Sequence, residues 1–377
     1  MKSLYYTRKL IQFDSVSSNS NREISGFLEG KLRKHGFSTE RVAYLDTQKV
    51  RKYNIIGKKG SGKGGLAYSC HSDVVPAETW HSSSKGPFEP AIARDRLYGR
   101  GSCDMKGSIG CMLEASQLIR WDEMKHPLYF ICTADEEVGF NGARQVVKNS
   151  KYYREMVENQ TPTIIGEPTL LQVVFAHKGS YLLQATSRGT AAHSSTRDGK
   201  NANLAMIPFL NEARKIHAEL EEDSRWQNSI FDPPTMSWNI GINDHTAAVN
   251  MTPAQSQCTI YFRPMPDVDY QPILARIKKA ADENGLQLKN DHYGDPFQTD
   301  PDCEFVQTAI DLSRCRKPRT VSYGTDGGVF TELENKIVFG PGNIAQAHTE
   351  NEWIGLEQLS LGTQMFSKFI RRFCCEE

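Results

Sequence analysis

Seven residues of this 377-residue chain have the types that hold divalent cations and move protons: His71, Asp73, Asp104, Glu136, Glu137, Glu167 and His348. Their placement follows a pattern. His71 and Asp73 come directly after the apolar run 65–70, and Glu136 and Glu137 after the run 128–133. Glu167 follows 162–165, His348 lies shortly after 336–339, and Asp104 closes the glycine-rich stretch 99–103. Imidazole nitrogen and carboxylate oxygen are donors that Zn²⁺ accepts. A surplus of carboxylates over one tetrahedral shell points to two ions sharing a bridging group, a pair able to activate water and polarise a carbonyl. One further carboxylate must stay off the ions to take and return the proton. Glu136 and Glu137 are adjacent, so their side chains diverge and can divide these two roles.

Each residue alone also admits a purely structural reading. Asp104 before Met105 is a reasonable helix N-cap. Asp135-Glu136-Glu137 reads equally as an exposed acidic turn, Glu167 as a loop carboxylate and His348 as a surface histidine. The shared position after strand ends favours the site, because ligands of open α/β sheets bind outside the carboxyl ends of the strands.

The elements that must position these groups alternate. Helical spacing predicts helices over 23–33 and 105–119, the latter with Ile109, Met112, Leu113 and Leu118 at roughly helical intervals. Short β-rich runs at 65–70, 128–133 and 162–165 predict strands, and the alternation predicts an α/β domain with a mostly parallel sheet. The pattern changes after Gly179. Strands are expected at 181–186, 236–242, 258–263 and 286–289, with helices at 203–220 and 271–284. In the first of these helices Leu204, Ile207, Leu210, Ile216 and Leu220 form the apolar face. The order β-α-β-β-α-β is that of the split βαβ unit. The expected organisation is a catalytic domain of residues 1–178 and 292–377 interrupted by an inserted domain at 179–291.

Composition removes several function classes. Lys plus Arg and Asp plus Glu both total 45, a formal net charge of zero, which gives no pull toward nucleic acid or an anionic membrane surface. No window approaches the ~18–20 apolar residues of a membrane span. The first residues, with Arg8 and Lys9 close behind, lack the apolar core of a secretory leader. Nine cysteines without short-loop spacing are expected to be reduced thiols of a cytoplasmic protein.

The stretches His71-Ser72-Asp73-Val74-Val75-Pro76, Gly99 to Gly107, Asp135-Glu136-Glu137-Val138-Gly139 and Gly166-Glu167-Pro168-Thr169 resemble the M20 metallopeptidase and deacylase family. The resemblance covers nearly the whole chain. It implies a zinc-peptidase-like catalytic domain with a mostly parallel central sheet, plus an inserted ferredoxin-like α+β lid and dimerisation domain. It implies two Zn²⁺, with Co²⁺ as a substitute, held by His71, Asp104, Glu137, Glu167 and His348, Asp104 bridging. Glu136 would be the general base, and Asp73 would accept the second ring N–H of His71. His193, within Ala191-Ala192-His193-Ser194-Ser195, matches the lid histidine that stabilises the oxyanion.

Among family members the chain is most similar to those that deacetylate a small N-acetylated amino acid. The alternatives are a desuccinylase of a diamino acid, another dipeptidase or aminoacylase of the family, and a catalytically silent amino-acid-binding or scaffold relative. The implied partner is a small N-acylated amino acid, and the implied assembly a homodimer through the lid. Arg263 matches an arginine that holds the substrate carboxylate, and Asn250 is expected to add an amide to the same pocket. Asp326 admits two readings, a contact for a cationic substrate tail or a cap of the turn that follows it.

Overall fold

The computed structural model describes residues 1–81, 85–246 and 248–376. These divide into two compact units. The first comprises Met1–Ala176, Gln298–Arg319 and Thr325–Glu377, and the second His177–Phe297 with Thr320–Gly324.

The first unit is built on a large sheet whose centre is parallel. Strand Leu66–His71 lies between Leu128–Thr133 and Thr163–Ile165, parallel to both, and Lys336–Val338 extends the parallel set beside Thr163–Ile165. All six residues of Leu66–His71 and of Leu128–Thr133 are buried, as expected for central strands covered on both faces. An antiparallel hairpin, Ser38–Leu45 with Arg51–Lys59, borders Leu128–Thr133 on one side. On the other side Val338 pairs antiparallel with Val174.

Helices Lys2–Ile11, Gly107–Leu118 and Leu356–Ile370 pack together in this unit. Tyr68 of the sheet meets Phe366 edge-on with ring centroids 5.3 Å apart, and Phe339 meets Phe369 at 5.2 Å. Gly107–Leu118 is apolar nearly all round and is correspondingly enclosed, with Ile109, Met112 and Leu113 buried. Leu118, at the same helical spacing, ends the helix and is 53% exposed.

The second unit has the order strand Ser180–Arg188, helix Asn203–Glu222, strands Asn239–Asn243 and Gln255–Phe262, helix Gln271–Glu283, strand Gln287–Gly294. Its antiparallel sheet runs Asn239–Asn243, Gln255–Phe262, Ser180–Arg188, Gln287–Gly294, which is the ferredoxin-like arrangement. Helix Asn203–Glu222 corrects the expected face. Met206, Phe209, Ala213, Ile216 and Leu220 are buried, whereas Leu204 and Ile207 stand exposed. The helix therefore carries a second apolar stripe that its own sheet does not cover. Among the described residues no helix is long and apolar enough to cross a membrane.

Candidate metal centre

Parallel strands end on the same edge, and that edge gathers the donors. His71 is the last residue of Leu66–His71, Glu136 and Glu137 follow Leu128–Thr133, and Glu167 follows Thr163–Ile165. Gly166, which leads into Glu167, packs tightly: a Cβ there would lie 2.5 Å from Tyr68 Cε2 and 2.7 Å from Ser108 Oγ.

Asp104 sits in the distorted turn Ser102–Lys106 ahead of helix Gly107–Leu118 and does not cap it. Its carboxylate is instead shared. Oδ1 lies 3.1 Å from Nε2 of His71, and Oδ2 lies 3.4 Å from Nε2 of His348. Glu167 Oε1 stands 3.5 Å from Nε2 of His71, and Glu137 Oε2 stands 3.0 Å from Nε2 of His348. Each histidine thus faces a carboxylate of its own plus one oxygen of Asp104. Ligand atoms of His71, Asp104 and Glu137 all fall within 4.8 Å of one another. His348 holds its place with a left-handed backbone, φ 61°, a conformation uncommon outside glycine.

The charge balance fits cations. Burial, reinforced by neighbouring carboxylates, pushes Glu136, Glu137 and Glu167 above the ordinary carboxylate range. Burial disfavours a charged His71, yet Glu167, Asp104 and Glu136 outweigh it and hold the ring well above its usual value. Hydrogen bonds to Asp104 and Glu137 raise His348 to about 10. Four clustered carboxylates exceed what two imidazoles neutralise, and divalent ions among these oxygens and nitrogens would remove the excess. The residues present therefore fit a two-ion centre of imidazole and carboxylate donors.

The supporting residues differ in part from the sequence expectation. Nδ1 of His71 meets the main-chain carbonyl of Asp73 at 3.0 Å, while the nearer carboxylate oxygen of Asp73 is 3.7 Å away. The Asp73 carboxylate accepts from the Ser17 hydroxyl at 2.7 Å and from the amides of Glu136 and Glu137 at 3.2 and 3.3 Å. It therefore fixes the turn that carries both glutamates. Asp135, at φ 58°, is gripped from the other side by the Tyr44 hydroxyl at 2.7 Å and Lys52 Nζ at 3.1 Å. Glu136 has neither histidine within ion-pair distance and is left off the donor pairs, in contrast to Glu137.

Asp326 is 3% exposed and accepts from Thr133 Oγ1 at 2.5 Å. That bond ties it to the last residue of strand Leu128–Thr133, ahead of Glu136. His193, Asn250 and Arg263 lie in the second unit. His193 is exposed, with Nδ1 2.7 Å from Ser195 Oγ, and Asn250 is exposed with its carbonyl accepting from Ser194 N–H at 2.9 Å. Arg263 is half-buried, donates to Ser180 Oγ at 2.6 Å and lies over the Tyr261 ring at 4.9 Å.

Sequence reasoning missed Glu352. This carboxylate, 1% exposed, accepts from Arg100 and from the amides of Gly101, Cys103 and Asp104. Its only signal in the sequence is an acid four residues after His348.

The chain is similar to known proteins along most of its length. The family profile described as peptidase family M20/M25/M40 matches residues 67–372. An acetylornithine deacetylase of Myxococcus xanthus is 31% identical over 97% of this chain and 96% of its own length. A solved M20 family metallo-carboxypeptidase from Sulfolobus solfataricus aligns with TM-score 0.77 at 16% identity, covering 99% of both chains. A dinuclear metal-binding M20 peptidase of Bacillus subtilis aligns with TM-score 0.64 at 14% identity, covering 98% of this chain and 96% of its own.

Proposed function

The chain belongs to peptidase family M20/M25/M40, and from that premise we propose that it hydrolyses N²-acetyl-L-ornithine to ornithine and acetate, a step of arginine biosynthesis. The coarser activity, metal-dependent hydrolysis of a linear amide, is the family's own. The observation that carries the reading is the Asp104 carboxylate set between His71 and His348, with Glu136, the neighbour of Glu137 in the chain, off both pairs. The substrate is supported by the likeness to acetylornithine deacetylases over the full chain.

In this proposal His71, Asp104, Glu137, Glu167 and His348 hold two Zn²⁺, or Co²⁺ in its place. When bound, the ions would lower the pKa of water and polarise the acetyl carbonyl. Glu136 takes the proton of the attacking water and returns it to the leaving nitrogen. The new C–O bond forms first, giving a tetrahedral oxyanion. The C–N bond then breaks as the nitrogen takes up the proton and the carbonyl re-forms, leaving a carboxylic acid and a free amine. Burial among like charges favours the protonated form of Glu136, which suits it to the second transfer. Asp73 keeps Glu136 and Glu137 aimed through their amides. His193, with Nδ1 engaged by Ser195, has Nε2 left to donate to the developing oxyanion. Arg263 receives the α-carboxylate as a planar fork, and Asn250 adds an amide.

A homodimer through the second unit is part of the same reading. Strand Asn239–Asn243 is the edge of its sheet, and Ile242, Leu204 and Ile207 are 63%, 67% and 57% exposed. An open strand edge beside an apolar stripe favours pairing with a second copy. Light scattering on Ile207→Asp should then report a monomer where the unaltered chain gives a dimer.

The deciding experiment follows amine release by zinc-loaded protein from N²-acetyl-L-ornithine, N-acetylcitrulline, N-succinyl-diaminopimelate and simple dipeptides. The highest kcat/KM on acetylornithine is expected. A preference for the succinylated substrate would replace the reading with a desuccinylase.

A further inference from the structure

We propose that Glu352 is a positioning residue: it sets the loop that carries Asp104, and so fixes the shared carboxylate relative to both histidines. The proposal rests on the metal-centre reading above.

Both oxygens of Glu352 are engaged. Oε2 accepts from Arg100 Nη1 at 3.0 Å and from Gly101 N–H at 2.8 Å. Oε1 accepts from Cys103 N–H at 2.8 Å and from Asp104 N–H at 3.0 Å. The amide of Asp104 itself is therefore anchored one residue's backbone away from its carboxylate. A buried loop must find acceptors for its N–H groups, and here a single carboxylate supplies three of them. Bonds from amides to an ionised acceptor are stronger than neutral ones.

The loop is shaped for this acceptor. Gly101 has φ 79°, and a Cβ there would lie 2.7 Å from Val74 Cγ1, so glycine is required for the amides to turn toward one point. The amides of Gly101, Cys103 and Asp104 converge on one point, a concavity for an anion filled here by the chain's own glutamate, while the Ser102 N–H turns to the Gly99 carbonyl.

Glu352 also connects two donors distant in sequence. Residues Trp353–Gly355 pair antiparallel with Arg96–Tyr98, Trp353 opposite Tyr98, and the Glu352 carbonyl accepts from Gly99 N–H at 3.1 Å. The segment that begins at His348 is thus laid along the loop that ends at Asp104. Since Asp104 faces both histidines, a slip of this loop would disturb both halves of the centre together.

The test uses the full chain with Glu352→Gln and Glu352→Asp, stripped of metal and titrated with Co²⁺ and Zn²⁺. Bound metal is read by equilibrium dialysis with elemental analysis, and geometry by the visible spectrum of the Co²⁺ form. Circular dichroism and urea midpoints of the metal-free proteins are measured alongside. The unaltered chain should bind two ions. Glu352→Gln should bind at least one of them about 10–100-fold more weakly, with an altered Co²⁺ spectrum. Glu352→Asp, which keeps the charge, should lose less. Wild-type loading and spectrum in Glu352→Gln would overturn the proposal, even with a lowered urea midpoint, since the residue would then serve the fold alone. Should Glu352→Gln not fold, the same criteria applied to Glu352→Asp decide. Failure of the unaltered chain to bind two ions would instead overturn the metal-centre reading.

Discussion

Asp104 divides its carboxylate between two histidines, Oδ1 toward Nε2 of His71 and Oδ2 toward Nε2 of His348. Removing one oxygen acceptor should therefore affect both halves of the centre. Asp104→Asn is expected to hold less than one ion per chain where the unaltered protein holds two, with kcat reduced at least about 100-fold. Elemental analysis after dialysis checks the first part. Two tightly bound ions in Asp104→Asn would exclude a bridging role.

Glu136 and Glu137 are neighbours to which the proposed function gives separate tasks. Glu136→Gln should retain both ions, because Glu136 is off the donor pairs, yet lose about 10²–10⁴-fold in kcat as its proton transfer disappears. Glu137→Gln should lose metal as well as rate. Equal metal loss in the two variants would show that the tasks are misassigned.

Tyr44 holds the left-handed Asp135 that precedes the glutamate pair. Burial and the charge of Asp135 push the Tyr44 hydroxyl upward, so it stays protonated and donates. Tyr44→Phe leaves Lys52 as the remaining grip on that carboxylate. A hydrogen bond to a charged group contributes about 1.5–3 kcal/mol, and the urea unfolding free energy should drop by that amount. An unchanged midpoint would mean that Lys52 alone suffices.

His35 should give the fold an acid-side sensitivity away from the centre. Its Nε2 is 3.1 Å from the Tyr6 hydroxyl, and burial, then the charges of Lys59, Lys31 and Lys2, lowers it to about 4. An unfolded chain titrates this group near 6.5. Between these values the unfolded state binds the extra proton, so the contribution is complete above about pH 6.5 and declines as the pH falls toward 4. The stability gap between the unaltered chain and His35→Gln should accordingly shrink from pH 7.5 to pH 5. A gap independent of pH would refute the role of His35.

The donors were legible because each carries a chemical type after an apolar run, and the chain turns at those points. His71 and Glu167 follow strands of residues buried on both faces, the plainest periodic signal available. The hairpin 38–59 was not legible: its turn uses Asp46, whose side chain accepts from the amides of Gln48 and Val50, rather than an Asn-Gly pair. Helix Asn203–Glu222 misled because it carries two apolar stripes, and spacing alone does not tell which one meets the sheet. Glu352 escaped for a different reason. Its significance lies in contacts with residues 248 or more positions earlier, and a lone acid has no period to betray it.

Strand Lys336–Val338 lies inside the large sheet, parallel to Thr163–Ile165 on one side and bonded at Val338 to Val174 on the other. A ribosome delivers this strand long after its two neighbours. Until then Thr163–Ile165 has an open edge, and neither His348 nor Glu352 yet exists to complete the donor set. The four strands of the second unit's sheet, by contrast, are all made by residue 294. Until the segment with His348 and Glu352 is added, the proposed metal site lacks one donor and the anchor of Asp104, so ion uptake would follow its synthesis, and chains terminated before it would lack a place to hold the pair.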